Sequence, residues 1–245
     1  MAENDSSVTL NNVKYEWLGQ SGVRITSTSG FIIYIDPILL DINPPKADLV
    51  LITHHHVDHC LPEYIAAVRA EKTRIAAFKK SYLQYCVHDI KGVRTIDIDQ
   101  RVELGGVNVT GMEAYASRGF HTKGEGCGFL LEMDSQRIYF SGDTSKIKEM
   151  EELKNIDAAI MPICDNTYSI ATADIVEAIK MIKPKLFIPV HFTPIDEPDP
   201  VIKEPFIATK DPRFFTRKAK AEDLIPFFEG TGIEVALLKK IGKGF

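Results

Sequence analysis

Residues 48–59 read Asp48-Leu49-Val50-Leu51-Ile52-Thr53-His54-His55-His56-Val57-Asp58-His59, and the rest of the fold is best read outward from them. The first half is almost wholly apolar, the pattern of a short strand covered on both faces. The second half holds four of the seven histidines within six residues, with an aspartate before the last. Neutral imidazoles and a carboxylate are the donors that zinc and comparable divalent metals take. Burying so many polar rings beside an apolar strand is costly unless they have partners. The cluster also follows the strand directly, at the carboxyl end where open α/β sheets bind their ligands. In an extended segment alternate side chains share a side. His54 and His56 are therefore expected on one metal, and Asp58 and His59 on a second, with His55 and Val57 facing away.

Upstream, residues 14–19, 23–27 and 31–36 read as strands punctuated by Gly19, Gly22 and Gly30, with Asp36-Pro37 ending the third. Downstream, Pro62 opens a helix over 63–71, followed by a strand at 73–78, a helix at 79–88 and a strand at 93–98. A second group follows at 107–112, 128–133, 137–140, 157–161 and 186–190, with a helix at 172–182 before the last. A polar, glycine-rich loop spans 117–126. Residues 193–216 are rich in Pro and charge and lack periodicity, which suggests an excursion near the site. Residues 221–229 and 231–237 can add a closing helix and strand. Two strand groups with interleaved helices predict an α/β fold of two mixed sheets with helices outside, as one domain over 1–245.

The formal charge of -5 over 245 residues lacks the basic footprint of a nucleic-acid binder. No apolar run reaches membrane-spanning length. The polar, acidic N-terminus has no signal-peptide pattern, so the cytoplasm is the expected location. Cys60, Cys86, Cys127 and Cys164 are scattered without a C-x-x-C pair, and read as buried thiols rather than a zinc finger or disulfide framework.

Taken in order, these segments resemble the metallo-β-lactamase superfamily, whose signature is His-x-His-x-Asp-His after a buried strand. Trp17-Leu18-Gly19 and Ile35-Asp36-Pro37 resemble its early segments. Ser141-Gly142-Asp143-Thr144 resembles its Gly-Asp-Thr segment, and Pro189-Val190-His191-Phe192 the segment that supplies its last histidine. The resemblance covers about residues 13–194 and is greatest to the small, stand-alone metal-dependent hydrolases and lactonases. It implies a four-layer αβ/βα sandwich. It also implies two divalent ions, zinc foremost with manganese or iron as alternatives. His191 would join Asp58 and His59 on the second ion, with Asp143 bridging and Asp58 also orienting the nucleophilic water. Asp36 is expected to fix a ligand imidazole from behind.

Three positions depart from the family pattern. The usual site of a third histidine is Ala116, and the next histidine is His121, which reads either as the missing ligand or as a group that supports a ligand from behind or binds substrate. His88 reads as a surface residue. Gln20 stands where relatives often carry histidine, and Tyr168 lies in a segment that is glycine-rich elsewhere; both are candidate substrate contacts. The implied activity is hydrolysis of a small-molecule ester, lactone or phosphoester by a metal-bridging hydroxide, with Asp58 and Asp143 as the catalytic carboxylates. The alternatives within this fold are an RNA or phosphodiester nuclease and a mononuclear, dioxygenase-like iron oxidoreductase. The basic residues Lys203, Lys210, Arg213, Arg217, Lys218 and Lys220 form a possible anion-binding rim, though a solvated surface is the plainer reading.

Overall fold

The computed structural model describes residues 5–41, 43–82, 90–116, 121–163, 171–197 and 218–242. His88, Tyr168, Cys86 and Cys164, and most of the 193–216 excursion, lie outside them. Ser7–Leu10 (β1), Val13–Gly19 (β2), Gly22–Thr26 (β3) and Ile32–Ile35 (β4) form an antiparallel meander. Leu49–Ile52 (β5), Arg74–Phe78 (β6) and Val93–Ile96 (β7) then add in parallel, giving a sheet in the order β1 to β7. The second half repeats this plan. Arg101–Leu104 (β8), Val107–Ala114 (β9), Gly126–Met133 (β10) and Gln136–Phe140 (β11) form a second meander. Ala158–Pro162 (β12), Leu186–Val190 (β13) and, past Thr193–Pro194 (β14) and Lys218–Ala219 (β15), Glu234–Val235 (β16) continue in parallel. The repeat lies in the topology; no sequence repeat announces it.

Period-two alternation builds the layers. In β4, Ile33 and Ile35 join the cluster between the sheets, while Tyr34 joins the outer one. In β5, Leu49 and Leu51 point inward, while Val50 and Ile52 meet the outer helix Pro62–Val68 (α1) through Ile65 and Val68. This is why residues 49–52 carry no polar side chain: all four are buried. On the other side the helix Thr172–Ile182 (α3, after the single turn Lys79–Tyr82, α2) buries Ile175, Ala178, Ile179 and Ile182, the helical i, i+3, i+4, i+7 stripe. It stops at Lys183 in the left-handed region, with Pro184 next. The order is helix, sheet, sheet, helix: an α/β sandwich.

Some local expectations need correction. β1, β8 and the 3₁₀ turn Lys148–Glu152 gave no separate sequence signal, being short and half exposed. The expected closing helix at 221–229 is a 3₁₀ turn, Ala221–Leu224, running into Ile225–Phe228 (α4), with Pro226 inside it. Its companion strand shrinks to two residues. Thr193–Pro194 (β14), at the start of the 193–216 stretch, pairs in parallel with Lys218–Ala219 (β15), just beyond it.

Candidate metal centre

The carboxyl ends of β4, β5, β11 and β13 gather at one edge of the sandwich. After β5 the chain does not stay extended. His59 N–H and Cys60 N–H both donate to the His56 carbonyl, at 2.9 and 2.8 Å, closing a tight turn. The turn carries Asp58 and His59 away from the line of β5, and the side chains gather in two groups. His54, His56 and His121 converge with ligand atoms within 4.8 Å of one another, and so do Asp58, His59 and His191. His54 also converges with His59 and Asp143, so the two groups abut.

Asp143 lies between them. One carboxylate oxygen, Oδ1, is 3.3 Å from both His59 Nε2 and His191 Nε2, and the other, Oδ2, is 4.0 Å from His121 Nε2. Asp58 Oδ2 is 3.3 Å from His191 Nε2. His121 reaches the cluster because its loop folds back: Ala116 N–H donates to the His121 carbonyl at 2.9 Å. His121 thus lies opposite Ala116. Thr144 holds that loop, its hydroxyl 3.0 Å from the Tyr115 carbonyl and 3.2 Å from the Tyr115 N–H, while Ser145 N–H donates to the same carbonyl.

Behind the rings, the fully buried Asp36 accepts His59 Nδ1–H at 2.7 Å, as expected of a group that fixes an imidazole. It also accepts the Thr53 N–H at 2.8 Å and the Thr53 hydroxyl at 2.6 Å. Gln20 is buried beside His191. Its carbonyl accepts His191 N–H at 2.6 Å and the Trp17 indole N–H at 2.8 Å, and Trp17 stacks on Phe192 at 4.7 Å. Ser21 donates to the Asp58 carbonyl at 2.8 Å. Gln20, Asp36 and His191 all take positive φ, of 51°, 47° and 65°, a conformation that costs non-glycine residues about 1–3 kcal/mol each and clusters at functional sites. Thr53 and Ser21 escaped the sequence reading, since a buried Thr or Ser beside a strand end looks like ordinary core; Trp17 and Thr144 were read only as members of family-like segments, with no role of their own.

The electrostatics fit a cation. Burial, reinforced by neighbouring histidines, holds His54 well below the usual imidazole range, and burial takes His56 down to about 4. Burial lowers His121 as well. These rings keep lone pairs at neutral pH, as metal ligands must. His59 goes the other way. Burial opposes its charge, but Asp143, Asp58 and Asp36 outweigh burial and raise it well above its ordinary value. Burial would likewise raise Asp143, but His191 and His59 pull it well below the carboxylate range. Three carboxylates around one edge thus create a demand for positive charge that a divalent ion can meet. His54 Nε2 faces His56 Nδ1 at 3.1 Å, and His59 Nε2 faces His191 Nε2 at 3.2 Å. Convergent acceptors at such distances suit a shared cation.

The pattern of the family described as "Beta-lactamase superfamily domain" matches residues 14–191. The chain belongs to this superfamily. A UPF0173 metal-dependent hydrolase of Pelotomaculum thermopropionicum is 32% identical over 209 residues, 77% of this chain and 89% of that protein. A structure from Parabacteroides distasonis, described as a candidate metal-dependent hydrolase, superposes with a TM-score of 0.75 at 24% identity, over 95% of this chain and 98% of that one. Igni18, a metallo hydrolase of Ignicoccus hospitalis, gives a TM-score of 0.70 at 19% identity over 95% and 97%. The protein is a metal-dependent hydrolase of the metallo-β-lactamase fold. No helix among the described residues is long and apolar enough to cross a membrane.

Proposed function

We propose that the centre holds two divalent cations, zinc foremost, and hydrolyses a small-molecule ester, lactone or phosphoester. His54, His56 and His121 would hold the first ion and Asp58, His59 and His191 the second. The observation that carries this reading is Asp143, whose two carboxylate oxygens face the two groups separately. When bound, such ions supply Lewis acidity and a water whose proton is lost near neutral pH. The chain's own residues do the rest. Asp58, anchored by Ser21, orients the attacking water and takes up its proton. Asp36 keeps the His59 lone pair aimed inward. Gln20, buried and with no hydrogen-bond partner at Oε1 among the described residues, offers a carboxamide to the substrate from beside His191.

The buried, free Cys127 suits the reducing cytoplasm, where we place the enzyme. The acidic chain is not expected to turn over RNA. The reading is tested by metal analysis of protein purified without added metal, joined to a screen of lactones, esters and phosphodiesters. About two equivalents per chain, and turnover that a chelator removes and zinc restores, are expected. One equivalent, or turnover indifferent to Asp143→Ala, would overturn it.

A further inference from the structure

We propose that the Thr53 hydroxyl fixes the tautomer of His54, and so ties the two halves of the metal centre to one carboxylate. The inference rests on the two-cation reading above, but its geometry stands apart from it. Thr53 is fully buried. Its hydroxyl lies 2.6 Å from Asp36 Oδ2 and 3.0 Å from His54 Nδ1. A hydroxyl has one proton and two acceptor lone pairs. Asp36 already accepts the Thr53 N–H at Oδ1 and His59 Nδ1–H at Oδ2, so it acts as an acceptor throughout. The carboxylate is the stronger acceptor and the closer one, and the hydroxyl proton goes to it. Only a lone pair then faces His54, which must carry its hydrogen on Nδ1 and its own lone pair on Nε2, the nitrogen that faces His56.

The opposite tautomer would aim an N–H at the first ion. Asp36 thus orders His59 directly and His54 through Thr53, one ring from each group. Thr53 is a positioning residue: it touches neither ion nor substrate, and it acts through His54.

Thr53→Val keeps the shape and removes the hydroxyl, whereas Thr53→Ser keeps the hydroxyl. Zinc titration of chelator-stripped protein against a competing chromophoric chelator should show the Val variant losing about 10–100-fold in affinity for one equivalent. The other equivalent should be unchanged, and the Ser variant should stay near wild type. Nitrogen-15 NMR of the histidines in the metal-free wild type, with His54 identified by its loss in His54→Gln, should show Nδ1–H at His54. An Nε2–H there would overturn the proposal even if the Val variant fails to fold, as would a folded Val variant with both affinities intact. A wild type that binds one equivalent sinks the two-cation reading, and the NMR result then decides Thr53 by itself.

Discussion

At Asp143 a single side chain faces both groups of candidate ligands, which makes it the position of greatest leverage. Asp143→Ala should cut metal content and lower turnover by about 10²-fold or more, since it removes a direct contact where even outer partners cost about 10–100-fold. Elemental analysis and initial rates on one preparation check this; full occupancy with full turnover would contradict it. The imidazoles also set a pH response in the metal-free chain. Folded His56 binds its proton near pH 4, whereas the unfolded ring does so near 6.5. Below pH 6.5 the unfolded chain takes up a proton that the folded chain refuses, so stability falls as pH drops towards 4. At about 1.4 kcal/mol per unit the His56 contribution is about 3 kcal/mol at most, less where water reaches the ring. His54 and His121 shift in the same direction. His59 has the opposite sign: its contribution is complete below 6.5 and is lost only as pH rises through its raised value. Urea melts of chelator-treated protein at pH 7 and pH 5 should give a lower midpoint at pH 5.

The loops after β9 and β11 work as a pair. Thr144 pins Tyr115 on both its N–H and its carbonyl, and the Lys123–Glu149 ion pair and the Tyr115–Glu149 hydrogen bond join the same two segments outside. Thr144→Val should cost about 1–2 kcal/mol in stability, the scale of a lost buried hydrogen bond, and weaken metal binding through His121. Denaturant melts and zinc titration would measure both. Gly142 has a different reason to be fixed. Its φ is +62°, and an added Cβ would lie 2.8 Å from the Cys127 carbonyl. Gly142→Ala must therefore push the β11 loop away from β10, and Asp143 with it. A loss of about 1–3 kcal/mol together with reduced metal content is expected. Unchanged occupancy would mean that the loop moves without carrying Asp143.

For the molecule as a whole, the centre is a seam. His54, His56, Asp58 and His59 follow β5 of the first sheet, whereas His121, Asp143 and His191 come from the second. Each candidate ion draws on both sheets, so binding should stabilise their association. Metal in excess of its dissociation constant by about 100- to 1,000-fold adds about 3–4 kcal/mol through linkage. Chelation should lower the melting temperature measured by calorimetry, and zinc should restore it. A melting temperature indifferent to chelator would place the ligands too loosely to bridge the sheets. A groove of about 610 Å³ lies between α3 and residues 218–227, lined by Lys180, Lys218 and Lys220 together with Glu177 and Asp223.

The strand ending at Ile52 and the histidines behind it are legible without coordinates, because an apolar run buried on both faces and a set of metal donors each leave a local signature. The layer order follows from the same periodicities, and His54 and His56 lie in one group just before the tight turn at 56–60. Other features exist only in three dimensions. His121 meets the cluster because its loop folds back against Ala116, a contact that sequence spacing does not encode. Asp36, Thr53, His54 and His59 form one hydrogen-bonded unit only once β4 and β5 lie side by side. Gln20 gains its place beside His191 through backbone bonds across the fold. Local chemistry names the donors; the packing of two sheets decides which atoms they face.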